Sequence, residues 1–403
     1  MDGTRMTGIG IIAEYNPFHN GHRYHIAETR RLTGADNIIA VMSGSFVQRG
    51  EPACMDKFTR AELALRGGAD LVIELPDILS CACAEKFAYG GVKLLSSTGL
   101  VSGISFGSES GDIQRIRSIA ETEVQKERLR EELAKGIPYP EAFSNALGSD
   151  DTAALIDAPN DTLAVEYLRA ISKIDPDLDA LSINRIGSQH NSNEAEGIFA
   201  SAGYIRTLSS RGCITDAAKY VPDDVNCRIR ELSESGLFPA SLSALSGAIL
   251  YRLRMLGRDG IAELPDVSEG LENPIYKAAL ESSDIDELLL RVKTKRYTMA
   301  RLKRILIAAL LDSDKSLLNK ASSDQDALYI RVLGVRKDKL NLLSELNNCA
   351  LLPVVIDIHD AEELSDNAKQ ILEHSRRASL IHALACPNKR DCIDDFSHPL
   401  IIV

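Results

Sequence analysis

Apolar residues in the first half of the chain come in short, unbroken runs. "GIGIIAEY" (8–15), "NIIAVMSG" (37–44), "DLVIELP" (70–76) and "VSGISFG" (101–107) are each rich in Ile and Val and stopped by Gly or Pro. Such runs read as strands. They lack apolar/polar alternation, which predicts strands covered on both faces. Between them, "HNGHRYHIAETRRLTG", "DKFTRAELALRGGA" and "EKFAYGGVKLLSSTG" show helical spacing with glycines at their C-terminal ends. Alternating strand and helix predicts βαβ units in a parallel, doubly wound α/β sheet. A fifth strand is expected at "LDALSINRIG" (178–187), after a helical excursion over residues 111–173.

From about residue 212 the pattern lengthens. Helices are expected at 241–256, 284–311 and 366–385, with strands only at "YIRVLGV" (329–335) and "LLPVVI" (351–356). The chain therefore divides into residues 1–235, a Rossmann-like domain, and residues 236–403, a mostly helical one.

Composition narrows the class. With 403 residues, 44% hydrophobic and 26% charged, this is an ordinary globular chain. No apolar run approaches the ~20 residues that a membrane span needs. The opening "MDGTRMTGIG" has no apolar core of a secretory signal, so the cytoplasm is the expected location. Eight cysteines show no paired CxxC spacing, which argues against a zinc site and predicts reduced thiols. Net charge is −12 but uneven: residues 236–403 carry 22 basic and 24 acidic side chains, leaving 24 against 34 in residues 1–235. A polyanion site must then be a local patch.

The first patch of chemistry follows the first strand. In "NPFHNGH", residues 16–22, two imidazoles stand in the first turn of a helix at the carboxyl end of a parallel strand. Ligands of doubly wound sheets bind there. A helix N-terminus adds unpaired N–H groups and the positive end of a dipole. His19 and His22 are suited to phosphate, and Gly21 removes a side chain where a nucleotide would approach.

This stretch resembles the HxGH signature of HIGH-type nucleotidyltransferases, which join a substrate to the α-phosphate of ATP and expel pyrophosphate. Their second signature, Ser-x-x-x-Ile-Arg, is matched by Ser201, Ile205 and Arg206 in "FASAGYIR". "EYNPFHNGH", "GSFVQRGEPA", "DKFTRAELALRGGADLVIELP", "SFGSESGD", "PNDTLAVEYL" and "YIRVLGV" together resemble the bacterial tRNA(Met) cytidine acetate ligase family, over nearly the whole chain. The resemblance implies an enzyme that forms acetyl-adenylate from ATP and acetate. It then passes the acetyl group to N4 of the wobble cytidine of elongator tRNA(Met), making N4-acetylcytidine.

Carried over residue by residue, it implicates Ala13, Glu14, Tyr15, Asn16, Pro17, Phe18, His19, Asn20, Gly21, His22 and His25 in ATP binding. Gly107, Asn160, Arg185, Ile186 and Ser201 are the further nucleotide contacts it implies. The middle of the second signature departs from the family's SATAIR, having Gly203 and Tyr204. After Arg-Ile-Gly, only His190 of "SQH" matches. Attack by acetate, already ionised at neutral pH, needs no protein base. It needs donors for charge on phosphate oxygens, and Mg2+ to balance the departing pyrophosphate. His19 and His22 are expected at the α- and β-phosphates and Arg206 at the β,γ-phosphates, making these three the catalytic candidates. Asp56, Lys57 and Arg60 read either as neighbours of this site or as a solvated helix face. No residue is expected to ligate a resident metal.

"RVKTKRYTMARLKRIL" (291–306) is the one basic cluster: Arg291, Lys293, Lys295, Arg296, Arg301, Lys303 and Arg304, with Tyr297 interleaved. Read as one helix with an apolar inner face, it is expected to contact tRNA through Lys293, Lys295, Arg296, Arg301, Lys303 and Arg304. A small-molecule adenylyltransferase or carboxylate–amine ligase of the same superfamily is the alternative, though it gives no reason for the basic cluster.

Overall fold

The computed structural model describes residues 8–122, 128, 131, 132, 142, 145, 146, 159–185, 195–268, 270–324, 326–357, 359–389 and 394–403. Strands β1 (Gly8–Ala13), β2 (Asn37–Ser43), β3 (Leu71–Leu75), β4 (Val101–Ser108), β5 (Asp179–Asn184), β6 (Ile330–Val335), β7 (Val354–Val355) and β8 (Ile401–Ile402) form one sheet. Its order is β8-β6-β3-β2-β1-β4-β5, with β7 also on β6. The first five strands run parallel, and β6 joins β3 antiparallel. All five strands expected in the first half are present. The chain leaves β1 for β2 on one side and later fills β4 on the other, so the strand order reverses at β1. A crevice opens at the carboxyl ends there.

The helices include α1 (Asn20–Thr33), α2 (Lys57–Arg66), α3 (Ala84–Ser97), α4 (Pro159–Ile174), α5 (Ala202–Ser210), α6 (Ser246–Ala262), α7 (Ile285–Val292), α8 (Met299–Leu311) and α9 (Asp366–His382). Strand β2 shows why alternation is missing. Ile39 and Val41 enter a core with Leu94 of α3 and Ala164 of α4, while Ile38, Ala40 and Met42 enter another with Phe58 and Ala61 of α2. A third core joins α6, α7 and α8 through Leu253, Leu288 and Ile305, and takes in Phe46.

Two sequence expectations change. The helix expected over 284–311 is two helices, because Lys293 turns extended and Thr298 caps a new start, its side chain accepting from the Arg301 N–H. The strand expected over 351–356 shrinks to Val354–Val355. Of the excursion over 111–173, Ile113–Glu121 and α4 are helical, and most of what lies between is outside the described residues. Strands β6, β7 and β8 come from beyond residue 235 yet complete the sheet of the first half. No described helix is long and apolar enough to cross a membrane.

Helix α2 carries a guanidinium that shapes the crevice. Arg60 is fully buried and donates to the carbonyls of Glu14 (2.8 Å), Ser43 (3.0 Å), Met55 (3.2 Å) and Gly44. It thereby ties the ends of β1 and β2 together just past Ala13 and Met42, the last pair of their ladder. Lys57, also buried, pairs with Glu74 of β3 at 2.7 Å and with Asp395 of the C-terminal segment. Asp56 caps α2, accepting from the Thr59 N–H at 2.8 Å. Neither Lys57 nor Arg60 thus forms a solvated face, and Arg60 stands beside the site, directly behind the lining residue Glu14. Removing one partner from such a buried network leaves its other groups unpaired. Arg60→Met should lower the unfolding free energy by about 3 kcal/mol, measured by urea titration, and Arg60→Lys should recover only part of it, since an ammonium cannot fork across four carbonyls.

Candidate active site

The first turn of α1 is built from its own imidazoles. His19 is the N-cap, and its Nδ1 accepts from the Gly21 N–H at 3.0 Å. His22 Nδ1 reaches back to the His19 N–H at 3.3 Å, closing a reciprocal capping box. The two rings stack with centroids 3.7 Å apart. Gly21 has a local reason: a Cβ there would stand 2.8 Å from His19 Cε1. Since both Nδ1 atoms accept, a neutral ring carries its proton on Nε2 and becomes a donor. Burial holds His22 well below the usual imidazole range, aided by His19, Arg185 and His25. His22 is therefore neutral at pH 7.

Aromatic packing holds this turn. Tyr15, at φ 47°, and Phe18 place their rings 5.0 and 5.6 Å from that of His22. Phe18 is wholly buried and fits because residue 67 is glycine; a Cβ there would stand 2.1 Å from Phe18 Cζ. Asn20 turns sideways and donates to the carbonyls of Ile198 (3.0 Å) and Lys219 (3.2 Å). Pro17, Phe18 and Asn20 support the loop without lining the crevice.

Helix α5 brings up the second signature. The Ser201 side chain is its N-cap, accepting from the Tyr204 N–H at 3.1 Å. One turn on, Arg206 Nη1 donates to the Asn16 carbonyl at 2.7 Å, and Nη2 lies 3.7 Å from Glu51. Arg206 is thus moored to the HNGH loop from 190 residues away. The opposite wall comes from β4, β5 and α4. Asn160 donates to Glu109, and the Glu109 N–H donates to Asp161 at 2.9 Å. Arg185 follows β5 and lies over Gly107, where a Cβ would stand 3.4 Å from Arg185 Cγ.

These walls enclose a cavity of about 350 Å3. Of the residues expected from the sequence, it is lined by Ala13, Glu14, Tyr15, Asn16, His19, Gly21, His22, His25, Gly107, Asn160, Arg185, Ser201 and Arg206. Ile186 and His190 lie outside the described residues. Sequence reading passed over Gln48, Arg49, Phe87, Phe106, Tyr167 and Phe199, which also line it. Gln48 and Arg49 were within reach, because they sit in the quoted stretch "GSFVQRGEPA". The aromatic residues carry no local signal, being ordinary core positions until the sheet and helices surround them. Glu14 is the one acidic side chain among the described lining residues. No group of three metal-ligating side chains occurs among the described residues.

The basic cluster divides. Arg304 is buried against Asp266 (2.6 Å), Arg301 donates to the Asp266 carbonyl (2.9 Å) and Ser268 (2.8 Å), and Lys303 pairs with Glu51. Arg291 pairs with Glu287 at 2.8 Å. On the linker between α7 and α8, Lys293 and Lys295 are exposed, and Arg296 lies 5.8 Å from the Tyr297 ring centre. The expected single charged helix face is replaced by this linker, because α8 turns its basic residues into the protein.

The imidazoles also set a pH dependence. His25 donates to or accepts from Ser105 Oγ at 2.8 Å, and burial, with Arg185, pushes it down to about 4. An imidazole in the unfolded chain titrates near ~6.5. The unfolded state therefore takes up this proton first as pH falls. The native state loses stability across the window from about 6.5 to about 4. Denaturant midpoints across that window should fall with a shallower slope in His25→Gln than in the wild-type protein.

The chain matches the HIGH Nucleotidyl Transferase family over residues 6–394. It is 40% identical over 402 residues to the tRNA(Met) cytidine acetate ligase of Thermoanaerobacter sp. (strain X514), covering 98% of this chain and 99% of that one. The enzyme of the same name from Caldanaerobacter subterraneus subsp. tengcongensis is 38% identical over 405 residues, covering 98% and 100%. Among solved structures, apo Thermotoga maritima TmcAL superposes with a TM-score of 0.93 at 31% identity, over 99% of this chain and 100% of that one. The α-thio ATP complex of the same protein gives 0.91 at the same identity and coverage. With its HNGH turn, its Ser201–Arg206 helix and these full-length likenesses, the chain belongs to the tRNA(Met) cytidine acetate ligase family of HIGH nucleotidyltransferases.

Proposed function

We propose that this protein activates acetate with ATP, forming acetyl-adenylate and pyrophosphate, and transfers the acetyl group to N4 of the wobble cytidine of elongator tRNA(Met). The observation that carries this reading is one cavity holding the paired HNGH imidazoles, the N-terminus of α1 and Arg206, in a chain of this family. An acetate oxygen attacks the α-phosphorus, and the bond to the bridging oxygen breaks, its electron pair leaving with pyrophosphate. Charge builds on the phosphate oxygens. Nε2–H donors on His19 and His22, preorganised by their Nδ1 bonds, are suited to stabilise it, and Arg206 adds a cation at the leaving end. In the second step the cytosine N4 lone pair attacks the acetyl carbonyl, N4 loses a proton, and AMP departs.

Mg2+ borne by the triphosphate fits this lining. With Glu14 as the acidic side chain available, phosphate oxygens and water would supply most ligands. Its chemistry there is to neutralise phosphate charge. The nucleotide contacts expected at Glu14, Asn160 and Arg185 belong to this proposal too. So does the cytoplasm as the place where the enzyme meets its tRNA.

Acetate-dependent exchange of labelled pyrophosphate into ATP tests the first step. His22→Ala and Arg206→Ala should each lower it by ~100-fold or more, the scale of one lost transition-state donor. Either variant keeping over about half the wild-type rate would move the site elsewhere. Isotope-labelled acetate should reach tRNA without acetyl-coenzyme A; label arriving only from acetyl-coenzyme A would overturn the chemistry.

For tRNA, the linker residues Lys293, Lys295 and Arg296 are the proposed phosphate contacts. Replacing all three by Gln should weaken tRNA binding most at low salt. The slope of log affinity against log salt should shrink by ~2. Filter binding at several salt concentrations checks this, and an unchanged slope would place tRNA elsewhere.

A further inference from the structure

A short hairpin pairing Phe46–Val47 with Glu51–Pro52 stands between the cavity and α8. Its turn presses directly on that helix: Gly50 has φ 74°, and a Cβ there would stand 2.3 Å from the Arg304 backbone nitrogen. Gln48 and Arg49, in the same turn, line the cavity. The Gln48 N–H donates to Glu14 Oε1 at 3.1 Å, and Arg304 Nη1 reaches the Gln48 carbonyl at 3.4 Å. Glu51 closes the hairpin. One carboxylate oxygen takes the Lys303 ammonium, and the other faces Arg206 Nη2 at 3.7 Å.

We propose that the Glu51–Lys303 pair is a positioning device for Arg206, through which helix α8 sets the affinity of the cavity for the triphosphate. The proposal rests on the reading of Arg206 as a phosphate ligand given above. At 3.7 Å the second Glu51 oxygen is an ion partner of Arg206 but beyond hydrogen-bond length, whereas the Asn16 carbonyl holds the guanidinium at 2.7 Å. Arg206 is oriented without being neutralised. Burial pushes the Glu51 carboxyl up, but Lys303, Arg206 and Arg49 more than offset this, so it stays ionised below the ordinary carboxylate range. The Lys303 ammonium engages the other carboxylate oxygen. Without it, the carboxylate is driven to fork onto Arg206, the geometry guanidinium and carboxylate favour. That turns cationic charge away from the phosphates. Lys303, sequence-read as an RNA contact, becomes a positioning residue for the first half-reaction.

The discriminating measurement is a double-mutant cycle, read both by titration with a non-hydrolysable ATP analogue and by acetate-dependent pyrophosphate exchange. Lys303→Met should weaken analogue binding by ~10-fold and lower kcat/KM for ATP at least as much. Lys303→Arg should stay within ~2-fold of wild type, since a second cation replaces the first. In the Lys303→Met/Glu51→Gln protein most of the loss should be recovered, because the uncompensated carboxylate is gone. A merely structural role predicts a lower denaturation midpoint with analogue affinity and kcat/KM unchanged. A direct RNA role predicts unchanged analogue affinity with weakened tRNA binding. Either result overturns the proposal. If Lys303→Met does not fold, Lys303→Gln carries the same comparison. Should the wild-type protein catalyse no acetate-dependent exchange, the functional reading fails, and the analogue titrations still decide the positioning.

Discussion

The active crevice depends on a single buried guanidinium. Where β1 and β2 part at their carboxyl ends, Arg60 donates from α2 to the carbonyls of Glu14, Ser43 and Gly44. A planar fork of five N–H groups suits this task, and no other side chain offers so many donors in one plane. With that junction held, the chain makes its left-handed turn at Tyr15 and enters α1 with both imidazoles in its first turn. The HNGH segment is therefore placed by a residue some 40 positions away in sequence.

The same imidazoles cap the helix and line the cavity. His19 and His22 satisfy two backbone N–H groups through Nδ1, which leaves Nε2–H as the donor of each ring. Burial and the nearby cations hold His22 well below the usual imidazole range. A neutral donor adds no fixed charge of its own, and its hydrogen bond strengthens as negative charge develops on an acceptor.

Two parts of the chain that look separate in sequence meet at the hairpin of residues 46–52. Phe46 packs in the core of α6, α7 and α8, Gly50 abuts the α8 backbone, and Glu51 pairs with Lys303. At the other edge, β6 lies antiparallel on β3, and Asp395 pairs with the buried Lys57. The helical region is therefore fastened to the sheet by backbone contact, buried charge and shared strands together. A change in α8 has a short mechanical path to Arg206.

The sequence by itself determined the parallel sheet, since unbroken Ile/Val runs with helices between them have few other ways to bury both faces. It also determined the HNGH turn, because His-x-Gly-His at the end of a strand is local chemistry, and the matching Ser201–Arg206 helix start. Tertiary structure decided the rest. It made Arg60 and Lys57 internal struts, for helical periodicity in α2 says which face is apolar but not which charged groups a sheet end will need. It turned Arg301, Lys303 and Arg304 inward, because their partners Asp266, Ser268 and Glu51 lie far away along the chain. It drew Phe87, Phe106, Tyr167 and Phe199 into the cavity wall, and the Arg206–Asn16 contact across 190 residues. Local pattern carries the information for elements and caps. Which long-range partner satisfies a buried charge is fixed only when the elements pack.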